Sequence, residues 1–263
     1  MISSAVQIEN LTYRYKSTGW QLGPVSINFN AAKLTGIIGP NGSGKSTFAS
    51  ALARKLDFEG EIKIGEKSVE SFSSEKWANI VAYLPQRIPV QFDFSVEQTV
   101  AFGRFAKTGL MGFLEEADQQ VIEKCLKQTD LLDLRHRMLS ELSGGELQRT
   151  HLASVLVQEP EILLLDEPTS SLDIHHQIEF YGLVRECVDS GMTAIVVTHE
   201  LTLASHFCDE LVLLSDGKLM EHNVPEKVIR EDLIREVYGE KVCVLAHPET
   251  GRPMVVPEII GNR

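Results

Sequence analysis

The stretch "KLTGIIGPNGSGKSTFASALARKL", residues 33–56, decides the fold. It opens on a short apolar run over 33–39 that reads as a buried strand. It then passes through a glycine-rich turn into apolar residues at helical spacing, predicting a helix from 45 to about 56. The turn is Gly39, Pro40, Asn41, Gly42, Ser43, Gly44, Lys45, Ser46 and Thr47, which matches G-x-x-x-x-G-K-[ST] in the strand–turn–helix setting that the motif requires. Its glycines let backbone N–H groups converge on phosphate oxygens; Lys45 can reach the β and γ phosphates, and Ser46 can ligate Mg²⁺. The turn is therefore read as a nucleotide-binding loop.

Outward from this loop, residues 6–15 and 25–30 alternate as strands do, and compact apolar runs recur at 80–85, 161–168, 193–199 and 210–218. Each lies beside a helical segment, the pattern of a parallel sheet covered on both faces. From 87 to 158 the strand signal disappears, and 96–105, 115–129 and 144–157 show helical periodicity, predicting an inserted helical subdomain. Beyond Gly239 the tail reads as a small β appendage.

Composition bounds the rest. The chain has 263 residues, 43% apolar and 24% charged, enough for one large folded unit without disulfides or metals. Cys125, Cys187, Cys208 and Cys243 form no CxxC pair, which fits a reducing cytosol. A net charge of −12 argues against sequence-independent binding to nucleic acid or anionic lipid. No signal-peptide pattern opens the sequence and no stretch of about 18 apolar residues is available to span a bilayer, so a membrane role is expected to come through a protein partner.

In "ILLLDEP" (162–168) four apolar residues deliver Asp166 and Glu167 to the end of a strand. The first can hold Mg²⁺ through its water shell; the second can polarise a water for attack on a γ phosphate. In "LSGGELQR" (142–149), Ser143 and Glu146 spell a capping box around Gly144 and Gly145. Two readings stand: a well-capped helix, or a second anion site that closes over the nucleotide of another copy.

"GPNGSGKST", "LSGGE", "ILLLDEP" and "VVTHE", in this order, resemble the Walker A, signature, Walker B and switch-histidine motifs of the ATP-binding cassette (ABC) ATPases over about 6–240. The resemblance implies an α/β P-loop NTPase (RecA-like) parallel-sheet core with an N-terminal antiparallel β portion and an inserted α-helical subdomain. One domain is expected over 1–240, with core segments 1–86 and 159–240, helical subdomain 87–158 and a C-terminal extension over 241–263. The resemblance also implies residue roles. Tyr15 stacks on adenine, with Tyr13 its competitor; Gln86 of "LPQ" contacts the metal and the attacking water; Glu167 is the general base. Asp173 of "SSLD" links two protomers, His199 contacts the γ phosphate, and Ser143 and Gly145 meet the ATP held by the opposing subunit in a homodimeric nucleotide sandwich. Glu146 stands where many members have Gln. His175 and His176 are read as solvated.

The segments "VEQTVAFGRFAKTGLMG" and "TSSLDIHHQIEF" and the tail resemble the ATPase subunits of importers for iron-siderophore, haem and cobalamin. That implies ATP and Mg²⁺ as cofactors, two membrane-spanning permease subunits, indirectly a substrate-binding protein, and a peripheral place on the cytoplasmic face of the inner membrane. Ile88, Val90, Phe92 and Phe94 would receive the permease, or form subdomain core. A zinc or manganese importer ATPase and a soluble iron–sulfur assembly ATPase are the alternatives.

Overall fold

Period-two burial in Val6–Arg14 and Gln21–Phe29 and full burial in Leu34–Ile38, Ile162–Asp166 and Thr193–Val197 separate two kinds of strand. The computed structural model describes residues 6–88, 93–108 and 114–258. It divides into two compact units, Met1–Val69 with Ile195–Arg263, and Glu70–Ala194.

In the first unit, β1 (Val6–Arg14) turns Val6, Ile8 and Leu11 inward, and β2 (Gln21–Phe29) does the same with Leu22, Val25, Ile27 and Phe29. Then follow β3 (Leu34–Ile38), buried at all five residues, α1 (Lys45–Leu52), β4 (Glu59–Ile64) and β5 (Lys67–Ser68). The antiparallel sheet runs in the order β2-β1-β4-β5. It is the N-terminal antiparallel portion that the sequence implied. The helix α1 ends four residues earlier than its apolar spacing suggests. Arg54 enters the left-handed region (φ 54°), the Lys55 N–H reaches back to the Ser50 carbonyl (2.8 Å) and the Arg54 N–H to Ala51 (2.9 Å). These are the two bonds of a Schellman stop, made here without glycine.

The second unit holds α2 (Ser74–Ile80), β6 (Val81–Leu84), α3 (Val96–Thr108), α4 (Glu116–Gln128), α5 (Gly144–Leu156), β7 (Ile162–Asp166), α6 (Ile174–Asp189) and the start of β8 (Thr193–Val197). Strands β6 and β7 pair in parallel, Val81 with Ile162 through Leu84 with Leu165, and β7 is wholly buried. The helical insert is tied by a buried cation. Arg104 of α3 donates from Nε and Nη2 to Asp118 Oδ1 of α4 (2.9 and 2.7 Å), and from Nη1 to the Val157 carbonyl (3.0 Å) and Glu159 (2.9 Å). A charge removed from water needs such partners. Ile88 and Phe94 are half-buried, with the Phe94 ring 4.8 Å from that of Phe102. Val90 and Phe92 lie outside the described residues.

The chain returns to the first unit through α7 (Leu201–Phe207), β9 (Glu210–Ser215), β10 (Lys218–Asn223), α8 (Pro225–Val228) and α9 (Glu231–Tyr238). Strand β9 runs parallel to β3 and antiparallel to β10. The tail forms a hairpin, β11 (Val242–Ala246) with β12 (Pro253–Pro257). Arg252 holds it to the end of α7, donating to the carbonyls of Ser205, His206 and Cys208 (2.5, 3.2 and 3.2 Å), where a cation also meets the negative end of the helix. Cys125, Cys187 and Cys208 are buried free thiols, and burial pushes Cys125 up to about 12. Among the described residues no helix is long and apolar enough to cross a membrane.

Asp118 is an acid-sensitive point of the insert. The Glu115 N–H, and after it the Arg104 guanidinium, hold its carboxyl below the ordinary value. A depressed folded pKa contributes stability above the unfolded value of about 3.9 and loses it as pH falls through and below that value. Asp118→Asn should therefore melt lower than the parent at pH 7, with the gap narrowing as pH falls from about 5 through about 3.9 and below; scanning calorimetry down that series checks it.

Candidate functional site

The phosphate loop is built from the first unit alone. Gly44 caps α1 in a left-handed conformation (φ 104°) without a side-chain cap, so the first amides of the helix face outward as an anion site. A Cβ on Gly44 would fall 2.8 Å from Trp20 Cη2 and 2.9 Å from Leu22 Cδ1. Trp20 is a neighbour of the loop that the sequence reading did not single out; its only signal was an aromatic shortly before an inward-facing leucine. The Lys45 ammonium is buried and donates to the carbonyls of Gly39 (2.8 Å) and Pro40 (3.0 Å). The Ser43 carbonyl accepts the Gly217 N–H (3.1 Å), while the buried Ser43 hydroxyl has no hydrogen-bond partner among the described residues. Asn41, Gly42 and Ser46 are exposed, and Thr47 is half-buried.

Of the two candidate tyrosines, Tyr15 is the one whose hydroxyl meets the loop, 3.1 Å from Thr47 Oγ1. Its ring stands edge-on to Tyr13 at 4.9 Å and tilted to Trp20 at 5.9 Å. His199, 43% exposed, precedes α7 with Nε2 3.1 Å from the Glu200 carboxylate.

The second unit gathers the carboxylates. Asp166 ends β7 buried, and the Tyr83 hydroxyl of β6 donates to its Oδ2 (3.1 Å). Tyr83 lies in the strand "IVAYLP", and the sequence reading did not single it out. Glu167 follows in the left-handed region (φ 47°), a conformation that costs a non-glycine residue on the order of 1–3 kcal/mol and that tends to mark functional positions. The exposed Gln86 donates to Glu167 Oε2 at 2.7 Å. Beside the strained acid sits an amide that can help hold a water.

The predicted capping box is formed. Ser143 Oγ accepts the Glu146 N–H (3.3 Å) and Glu146 Oε2 accepts the Ser143 N–H (2.7 Å), which also holds the Glu146 carboxyl below its ordinary value. Gly144 is exposed and Gly145 is buried. Asp173 caps α6, taking the His176 N–H at 3.0 Å.

Each unit by itself carries groups suited to a magnesium nucleotide. A helix N-terminus with no side-chain cap, a buried hydroxyl without a hydrogen-bond partner among the described residues and a lysine lodged on loop carbonyls make a phosphate cradle in the first unit; Ser46 there, and separately Gln86 and Asp166 in the second unit, each carry a hard oxygen of the kind Mg²⁺ takes. Among the described residues no group of three or more His, Cys, Asp or Glu is placed to hold a metal ion.

The family model described as ABC transporter matches residues 22–170. The chain belongs to the ABC transporter family. It has the P-loop NTPase fold of that family, with mostly parallel strands, and is an ATPase. It is 35% identical to the petrobactin import ATP-binding protein FpuC of Bacillus anthracis, covering 97% of this chain and 93% of that one. It is 37% identical to the hemin import ATP-binding protein HmuV of Pseudomonas aeruginosa, covering 95% and 99%. An uncharacterized ABC transporter ATP-binding protein of Bacillus subtilis, YvrA, is also 37% identical, and the match spans only 53% of its longer chain. Among solved structures, a metal-chelate type ABC transporter superposes with TM-score 0.84 over 97% of each chain at 22% identity, a likeness of fold. The cbiO1 subunit from Clostridium perfringens does so with TM-score 0.78 over 89% of this chain and 94% of that one, at 28% identity.

Gly44→Ala tests the cradle. An alanine forced into the left-handed region costs about 1–2 kcal/mol before Trp20 has to move. ATP–Mg²⁺ affinity measured by titration calorimetry should fall at least about tenfold, the equivalent of about 1.4 kcal/mol, with the far-ultraviolet dichroism preserved.

Proposed function

We propose that the chain is the ATP-hydrolysing subunit of a bacterial importer, acting as a homodimer on the cytoplasmic face of the inner membrane. It works with two membrane-spanning permease subunits and, through them, a substrate-binding protein. The cargo is an iron-siderophore, haem or cobalamin type chelate. What carries the reading is the end-to-end likeness to import ATPases, which reaches 93% and 99% of the lengths of the petrobactin and hemin relatives.

The residues divide the work. Gly39 to Thr47 cradle the phosphates, with Lys45 on the β and γ groups and Tyr15 against the adenine. Ser46, Asp166 and Gln86 hold Mg²⁺, which when bound neutralises phosphate charge. Glu167 takes the proton of the attacking water as Gln86 keeps that water in place, and His199 contacts the γ phosphate. The Tyr83 hydroxyl fixes the rotamer of Asp166. Ser143, Gly144, Gly145 and Glu146 face the nucleotide of a second copy, and Asp173 links the two protomers. The Ser143 hydroxyl accepts from Glu146 and keeps its own proton to donate, so capping and anion binding are compatible in one residue. Loss of the γ phosphate removes contacts made only in the closed dimer, which is the differential binding that a switch needs.

Glu167→Gln should bind ATP as the parent does, hydrolyse it at least about 100-fold more slowly and accumulate as a dimer. Parent turnover in a phosphate-release assay removes Glu167 as base. A native-membrane pull-down with that variant and ATP–Mg²⁺, read by mass spectrometry, should retain a polytopic permease; soluble scaffold proteins alone overturn the importer reading. Ser143→Arg should bind ATP yet stay monomeric in analytical ultracentrifugation, and normal dimerisation reduces the turn to a helix cap.

A further inference from the structure

His175 and His176 differ in the structure. His175 is exposed, with Nε2 3.2 Å from Glu179. His176 is half-buried, and its Nδ1 lies 2.9 Å from Asp173 Oδ1, the same oxygen that accepts the His176 backbone N–H. Its ring also lies over Gly145: a Cβ placed on that glycine would fall 2.2 Å from His176 Cδ2 and 2.9 Å from Cγ and Nε2. The ring cannot swing clear without giving up its bond to Asp173. A single side chain thus touches the buried glycine of the S-G-G-E turn and the acid that caps α6.

We propose that His176 is a positioning residue that locks the S-G-G-E turn to the SLD loop through its bond to Asp173 and its packing on Gly145. The two loops then meet a second copy as one rigid surface. This rests on the nucleotide-sandwich reading above. The helix bodies of α5 and α6 have their own tie, Arg149 Nη1 to Glu179 at 3.3 Å, so the imidazole is needed only where the two N-termini must keep register. With Nδ1 donating to Asp173, a neutral ring leaves Nε2 as an acceptor. Ordering both loops before association lowers the entropic cost of docking them, which is the advantage of preorganisation.

The test uses the full chain and ATP–Mg²⁺. In a Glu167→Gln background, His176→Ala should bind ATP within about twofold of its parent while its ATP-driven dimer dissociates about tenfold more readily, a coupling loss of ordinary size. In the otherwise unaltered chain it should lower kcat about tenfold with KM for ATP within about twofold. His176→Asn, which keeps an amide donor for Asp173, should recover part of both losses. If His176→Ala instead lowers melting temperature and ATP affinity together, the asparagine variant decides by the same kcat-against-KM split. A dimer and a kcat indifferent to both substitutions overturn the inference alone. A Glu167→Gln chain that never dimerises with ATP overturns the sandwich reading, and the inference with it.

Discussion

The constraint on which the first unit depends is a left-handed turn holding a lysine ammonium against its own carbonyls. Gly44 lets the chain reverse from β3 into α1, and Lys45 then folds back onto Gly39 and Pro40. Such a loop has few internal bonds to keep its shape, so its neighbours supply them. The Gly217 N–H fixes Ser43 from the turn between β9 and β10, Trp20 covers Gly44, and Tyr15 reaches Thr47. The parallel pairing of β3 with β9 brings that turn to the loop. Around it, fully buried residues such as Phe29, Ile37 and Phe48 are each worth about 2 kcal/mol or more in removed apolar surface, so the loop can be polar because its base is not.

The second unit follows the opposite logic, storing strain where the first unit relieves it. Five buried residues make β7 rigid up to Asp166; the next residue, Glu167, adopts the left-handed backbone without being a glycine. A glycine there would be easier to fold and would carry no carboxylate. The hydrogen bond from Gln86 and the pinning of Asp166 by Tyr83 keep two adjacent acids in different surroundings, one buried and one beside an amide. In the proposed mechanism that separation lets the first hold a cation while the second handles a proton.

Much of this was legible in the sequence because it is periodic or sterically coded. The buried strands β3, β7, β8 and β9 stand out as apolar runs, the insert as helical periodicity, and the phosphate loop as glycines at fixed spacing. The end of α1 was not legible, since Arg54 in a left-handed stop has no compositional mark. Neither were β4, β10 or α2, whose polar and exposed residues dilute the pattern. Within the candidate site the motif residues could be read one by one. Trp20, Tyr83 and His176 could not, because each earns its place by touching a motif residue far away in sequence, a relation that only the fold creates.

The two helix N-termini at the centre of the proposed function are chemically unequal, and the inequality bears on how a dimer would respond to ATP. At α1 the cap is a glycine, and no side chain caps that helix end in competition with a ligand. At α5 the capping box already uses the Glu146 and Ser143 N–H groups, which leaves the Gly144 and Gly145 amides and the Ser143 proton. The first site is suited to hold a phosphate on its own. In the proposed dimer the second, with part of its donors already used, would be suited to a phosphate that another loop has already fixed. In the proposed dimer, one strong and one weak cradle would make closure depend on the nucleotide being present, because the weak half would contribute only after the strong half is filled. Rigidity would then matter more at α5 than at α1: a weak contact repays little if its own loop must first be ordered, and in the proposed dimer the His176 ring between Asp173 and Gly145 would remove that cost before a second copy arrives.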